Sequence, residues 1–172
     1  MVASLKFIKD VTGSGALSQI DVTNVFSDKY NKYYFVINHG TSQGDTYMNM
    51  RFLDSTGTVI SDSEYAYAGY QFRDYASYNK LSVPSESFLR IGFAGTGSSD
   101  PRSGAWTFEV TNPYNTDKFT YQISDGSVNF SLGQVGNNMV GVHKVEERIT
   151  GVRVYPNTGT FTDLTIHCYG II

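Results

Sequence analysis

The side chains able to do chemistry are few and scattered. The histidines are His39, His143 and His167. His143 and His167 fall in alternating, strand-like segments with no His, Cys or carboxylate read as a partner at metal-ligand spacing. They are therefore read as surface or satisfied core positions rather than ligands. His39 opens the loop HGTSQGD, from which a His–Ser–Asp grouping could be assembled. A catalytic triad is defined by geometry, however, and side chains crowded into one short loop rarely meet it. Carboxylate pairs for glycoside hydrolysis would have to converge from separate strands, which a sequence neither displays nor forbids. Asp54, Asp62, Asp100, Asp117 and Asp125 all read as turn residues that cap local backbone, with calcium as the functional alternative. The glycine-rich GTGSSDPRSG has no lysine after a glycine and is not a phosphate-cradling loop. Arg102 within it is retained as a candidate contact residue. No catalytic, cofactor-binding or metal-binding residue is assigned, and no motif makes the case for an enzyme.

What concentrates instead is aromatic surface. The stretch EYAYAGYQFRDYASY, residues 64–78, carries Tyr65, Tyr67, Tyr70, Phe72, Tyr75 and Tyr78. Tyr65 and Tyr67 share a strand parity with Gly69, whereas Tyr70 and Phe72 occupy the other. A glycine at such a change suggests a bulge or bend. The aromatics cannot all point one way, so one subset fills the core and another faces outward. Outward tyrosines give stiff, amphipathic contact area suited to protein interfaces, and they also stack on sugars. A membrane wedge would need Trp, Phe and Leu with basic neighbours, and this run holds a single arginine. Tyr65, Tyr67, Tyr70, Tyr75, Tyr78 and Arg102 are the interaction candidates.

The elements that must position these residues read as strands. MRF-type alternation in TYMNMRFLD sets Met48, Met50 and Phe52 on one face, the expected core face. SFLRIGF groups Leu89, Ile91 and Phe93; GAWTFEVTN groups Trp106, Phe108 and Val110; KFTYQIS groups Phe119, Tyr121 and Ile123. GVRVYP aligns Val152 with Val154, and LTIHCYG aligns Leu164, Ile166 and Cys168. Such alternation marks half-buried antiparallel strands. Asp125–Gly126 between alternating runs predicts a two-residue hairpin. A helical turn is expected only in RDYASYNKL, residues 73–81. The reading is all-β: one antiparallel β-sandwich domain over residues 1–172, jelly-roll-like, with roughly ten to twelve short strands.

Composition agrees. The 172 residues include 13 Tyr and 11 Phe against one Trp, with 17 Gly and only four Pro; aromatics suit a pleated surface and glycines its turns. Thirteen basic and 16 acidic residues leave a formal charge of −3. No Lys/Arg block supplies the clustered cations that phosphate contacts demand, which argues against nucleic acid. No apolar run approaches a membrane span. The lone Cys168 cannot form an intrachain disulfide and reads as an inert core thiol. Lys6, Lys9 and Asp10 interrupt what a signal peptide would need as an apolar core, so synthesis in the cytoplasm is expected.

Three segments carry a family resemblance. IDVTNVFSDKYNKYYFVI (20–37), MRFLDSTGTVI (50–60) and RITGVRVYPNTGTFTDLTIHCYGI (148–171) resemble small bacteriophage virion proteins of marine phages. Those proteins open with an I-x-V/F…F…Y-x-x-Y pattern and close on a strand ending in Tyr-Gly. The resemblance implies a β-sandwich accessory protein of the head-decoration, knob or tail-fibre kind, located in the virion, and transfers no catalytic or binding residue. The leading expectation is a non-enzymatic capsid decoration protein whose partners are other virion proteins. It would be a homo-oligomer, a trimer being one form, with no cofactor. The alternative is a tail-associated component that recognises a host surface glycan through exposed Tyr or Trp106 beside loop Asp, Asn or Arg.

Overall fold

The computed structural model describes residues 4–96, 104–130 and 132–172. Twelve strands are present and no helix lies among the described residues. They are β1 (Leu5–Leu17), β2 (Ile20–Val22), β3 (Lys32–Ser42), β4 (Thr46–Asp54), β5 (Tyr65–Arg73) and β6 (Asn79–Glu86). Then follow β7 (Leu89–Thr96), β8 (Gly104–Thr111), β9 (Thr120–Phe130), β10 (Gly133–His143), β11 (Ile149–Pro156) and β12 (Phe161–Ile171). A long antiparallel sheet runs β1-β12-β3-β8-β9-β10-β5-β6, and a short one runs β2-β11-β4-β7. The two join through one brief parallel pairing, Thr41 with Gly95 and Ser42 with Thr96, so the expected wholly antiparallel arrangement has this exception. Strand β7 packs face to face on β9, β10 and β5, which makes the architecture sandwich-like.

The alternation becomes burial where the two sheets meet. Met48, Met50 and Phe52 are fully buried, as are Leu89, Ile91, Phe93, Trp106, Phe108, Val110, Val152, Val154, Leu164, Ile166 and Cys168 to within 1%. Phe35 stacks on Phe108 at 4.4 Å, joining β3 to β8. The slip between Val22 and the Val25–Phe26 pair has a local cause: Asn24 adopts φ 56°, the left-handed region that asparagine tolerates best among non-glycines. Tyr33 then ties the following segment down, accepting from Ser27 N at 2.8 Å and donating to Ser27 O at 2.9 Å. Arg153 donates twice to Asp21, both at 2.7 Å, and holds the three-residue β2 onto β11.

Two expectations fail for identifiable reasons. Asp125 and Gly126 lie inside β9 and make no hairpin: Asp125 pairs with Asn138 and Thr107, Gly126 with Asn137 and Trp106. A Cβ on Gly126 would stand 2.3 Å from Trp106 Cε3 and 2.4 Å from the Ala105 carbonyl. The glycine is there to admit an indole. Residues 73–81 form no helical turn: β5 ends at Arg73, a turn follows, and β6 starts at Asn79. Asp74 exchanges bonds with β10, its N–H donating to Gln134 O (3.2 Å) and its carboxylate accepting from Gln134 N (2.9 Å), so these groups are used across strands.

The face on which alternation groups Phe119, Tyr121 and Ile123 is the outward one, while Thr120, Gln122 and Ser124 are buried at 1% exposure or less. Register explains it. Side-chain direction alternates along a strand, so the inward Gly126 commits every even-numbered residue of that stretch of β9 to the interior. A one-residue slip would bring Asp125 against the indole. Replacing Gly126 with alanine forces the Trp106 packing to shift. It should lower unfolding stability by about 1–3 kcal/mol, as overpacked cores do, in urea titrations against the unaltered protein.

Candidate functional site

The aromatic run divides cleanly. Tyr65 is fully buried, donating to Ile60 O and accepting from Phe52 N, both at 3.1 Å. Burial drives its hydroxyl pKa well above the ordinary tyrosine value. Tyr67 is 6% exposed, stacks on Phe88 at 6.0 Å and lies 5.8 Å from the Arg90 guanidinium, which also sits 3.7 Å over Tyr47. Neither tyrosine can present a contact surface, which corrects their place among the interaction candidates. Tyr70 (52% exposed), Tyr75 (39%) and Tyr78 (76%) face solvent, and Phe72 joins them with its ring 5.5 Å from that of Tyr78. Arg102 lies outside the described residues.

No bulge sits at Gly69. Strand β5 pairs continuously with β10 through it, and the irregularity in its pairing with β6 falls between Tyr65 and Tyr67. The glycine answers a close approach: a Cβ there would stand 2.2 Å from the Asn138 carbonyl oxygen and 2.6 Å from Met139 Sδ.

The exposed aromatics of β5 are one side of a broader surface that sequence reasoning missed. On the same outward face, Tyr121 and Ile123 of β9 and Val140 of β10 are each about half exposed. Between this ridge and Val83–Pro84 of β6 lies an apolar groove of about 370 Å³ floored by Ala66 and Ala68. A second depression, of about 310 Å³, lies over Ser127 and Gly136 beside Phe72, Asp74 and Tyr78. The signal was present in KFTYQIS, where alternation groups Phe119, Tyr121 and Ile123 without saying which way that face turns.

A different, polar depression of about 310 Å³ opens near the β3 entry, lined by Asp28, Tyr30, Asn31, Tyr114, Asn115 and Arg148 among others. The Arg148 guanidinium lies 4.6 Å over the Tyr114 ring. Trp106, proposed for such a groove, is 1% exposed and serves the core instead.

The structure also gives His143 partners that were not read from sequence. Its buried ring lies 4.8 Å from Tyr65, its Nε2 meets Glu147 Oε1 at 2.8 Å, and a Glu64 carboxylate oxygen completes a group whose ligand atoms lie within 4.8 Å of one another. One His and two carboxylates are a donor set able to hold a divalent cation. Against that role, His143 Nδ1 is buried without a hydrogen-bond partner, whereas a metal-bound imidazole almost always donates its second N–H. The contact between His143 Nε2 and the Glu147 carboxylate satisfies both groups without an ion. None of the depressions named above is lined by Glu64, His143 or Glu147. Asp54 behaves as a turn cap: one carboxylate oxygen accepts from Thr56 Oγ1 and N (both 2.7 Å) and Thr58 N (2.9 Å), and the Thr56 hydroxyl foremost holds its pKa below the usual value. Asp125 is a strand residue and Asp100 lies outside the described residues.

No protein-family model matches the chain. No curated protein matches it either. Among solved structures, it is similar at 12% identity to the CBM2 module of the evolved Dit of Lactobacillus casei BL23 phage J-1, over 90% of this chain and 69% of that one, with TM-score 0.26. Congerin II bound to lactose and MES is 14% identical over 79% of this chain and 98% of that one, with TM-score 0.24. The catalytic domain of an endo-1,3-β-glucanase from Thermotoga petrophila RKU-1 is 10% identical over 89% and 67%, with TM-score 0.28. At TM-scores below 0.3 the likeness is too remote to assign a ligand or an activity to this chain.

Cys168 is buried, and burial pushes its thiol up to about 12. A reagent such as DTNB at pH 8 should therefore leave the folded protein unlabelled and titrate one thiol after unfolding in denaturant. Because the folded form keeps its proton where the unfolded thiol ionises, this group's contribution to stability is whole below the ordinary thiol range. It is lost as pH rises toward 12.

Proposed function

We propose that the protein is a non-enzymatic structural component of a bacteriophage particle that decorates the capsid and acts by surface contact. One observation carries this reading: the outward face of β9, β10, β5 and β6 exposes Tyr121, Ile123, Val140, Tyr70 and Phe72 together, while the same strands turn Gln122, Ser124, Asn137 and Gln71 into the interior. A protein that keeps so much apolar surface outside, and polar groups inside, is built to have that surface covered. A second contact region lies along β1, which among the described residues pairs only with β12 and carries exposed Leu5 and Phe7. Such an edge can accept a strand or a side-chain cluster from a partner. The family resemblance of residues 20–37, 50–60 and 148–171 supplies the particle, and the surface supplies the mode of action. Purified protein mixed with undecorated capsids should co-sediment saturably; absence of binding at micromolar concentration overturns the reading.

A second reading rests on the polar depression. Tyr30 and Tyr114 beside Asp28, Asn31, Asn115 and Arg148 combine aromatic faces with planar polar groups, the chemistry that holds a sugar ring. On this reading the protein is a tail-associated component that binds a host surface glycan. A glycan array should then give hits that weaken by about tenfold or more, roughly 1.4 kcal/mol, on Tyr114→Ala; an empty array removes it.

A further inference from the structure

The outward face of β9-β10-β5-β6 has an internal pattern that names its occupant. Pairing registers align four rows across the strands. The first is Tyr121, Val142 and Ala66, continuing to the β6 bulge; the second is Ile123, Val140, Ala68 and Ser82. The third is Asp125, Asn138, Tyr70 and Lys80, and the fourth is Ser127, Gly136 and Phe72, extended by Tyr78. In the first two rows the large side chains stand on β9 and β10, and the small ones are Ala66 and Ala68 of β5 and Ser82 of β6. In the fourth row the order reverses. The two grooves described above are the small halves of these rows, at opposite ends of the face.

We infer that this face is the interface of a homodimer, with its two-fold axis lying in the interface along the strands between β10 and β5. That operation lays β9 of one copy over β6 of the other, and β10 over β5. Ile123 and Val140 then stand over the partner groove floored by Ala68, while Phe72 and Tyr78 stand over the partner depression at Gly136 and Ser127. Ile123, Val140, Phe72 and Tyr78 thus each stand over a groove of the other copy, and the contact is isologous. Charge follows the same symmetry. In the third row Asp125 and Lys80 occupy the outermost strands, so each Asp125 faces a Lys80 of the other copy, twice per dimer. Aligned sheets cross at about 30°, which displaces these pairs by only about 3–4 Å at their distance from the axis, within reach of a lysine stem.

Four strands and four rows span roughly 500 Å² per copy, about 1,000 Å² in all, the lower limit for a specific interface. The dimer is accordingly a weak one that forms at micromolar concentration and leaves the β1 edge free. This inference gives to a second copy the face that the proposed function reads as a contact surface, so that in the dimer the capsid would be met through the β1 edge with exposed Leu5 and Phe7. The test uses the purified protein alone and does not require capsid attachment.

Sedimentation equilibrium of the full chain from about 1 to 100 μM should fit a monomer–dimer scheme. Lys80→Asp and Asp125→Lys should each raise Kd by about tenfold or more, and the double swap should return it to within about threefold. Ile123→Arg, on an exposed side chain, should leave the folded protein monomeric. Should that variant fail to fold, the charge swaps alone decide. A monomer at every concentration overturns the inference, as does a trimer. So does a dimer indifferent to Ile123→Arg or to the single swaps, and so does a double swap that fails to restore association.

Discussion

Trp106 is the wedge on which the arrangement depends. Its indole has Gly126 and Gly104 beside it in the long sheet and Gly92 in the short one, each so close that a Cβ would lie 3.0 Å or less from an indole atom. It also lies 5.8 Å from the Phe93 ring of β7. A tryptophan this enclosed contributes a large apolar area to the core, but only if the backbone around it withdraws. Glycine is the residue that allows the withdrawal, and its position in each strand then sets which neighbours point inward.

The price of that register is visible in β9 and β10. Gln122 and Asn137 each have both side-chain polar atoms buried without a protein partner, and Ser124 Oγ is in the same condition. Unpaired buried polar groups cost about 1–3 kcal/mol each, so this orientation is not chosen for stability in isolation. Its counterpart is outside, where Tyr121, Ile123 and Val140 occupy the positions the polar groups vacate. The same backbone constraint thus generates both an imperfect interior and an adhesive exterior. A protein that works by contact can use the second and tolerate the first.

Tyrosine serves opposite ends here. Tyr65 and Tyr67 supply interior bulk, the one hydrogen-bonded to backbone and set against His143, the other held in the Arg90 cluster with Tyr47 and Phe88. Three positions beyond Tyr67, Tyr70 begins a pair with Phe72 that uses the opposite strand parity and faces outward. No change of register separates the two groups along β10. The division is made by which parity the sequence fills on each side of Gly69, which itself is required by the nearby Asn138 carbonyl.

Period-two alternation by itself determined that the chain is all-β, and it marked the buried faces of β4, β7, β8, β11 and β12, because side chains alternate along any strand and these five put their apolar sets inward. It also determined that residues 64–78 must split between core and surface. What it left undecided was set by partners distant in sequence. The sense of β9 was settled by Trp106 across the ladder, since alternation gives two faces without saying which is inside. Asp125–Gly126 resembled a hairpin because glycine serves a turn and a close approach equally well, and only the opposing indole distinguishes them. The meeting of His143 with Glu64, and the groove between β9 and β6, bring together residues from strands whose order no local pattern encodes. Local chemistry wrote the strands; long-range packing chose their faces.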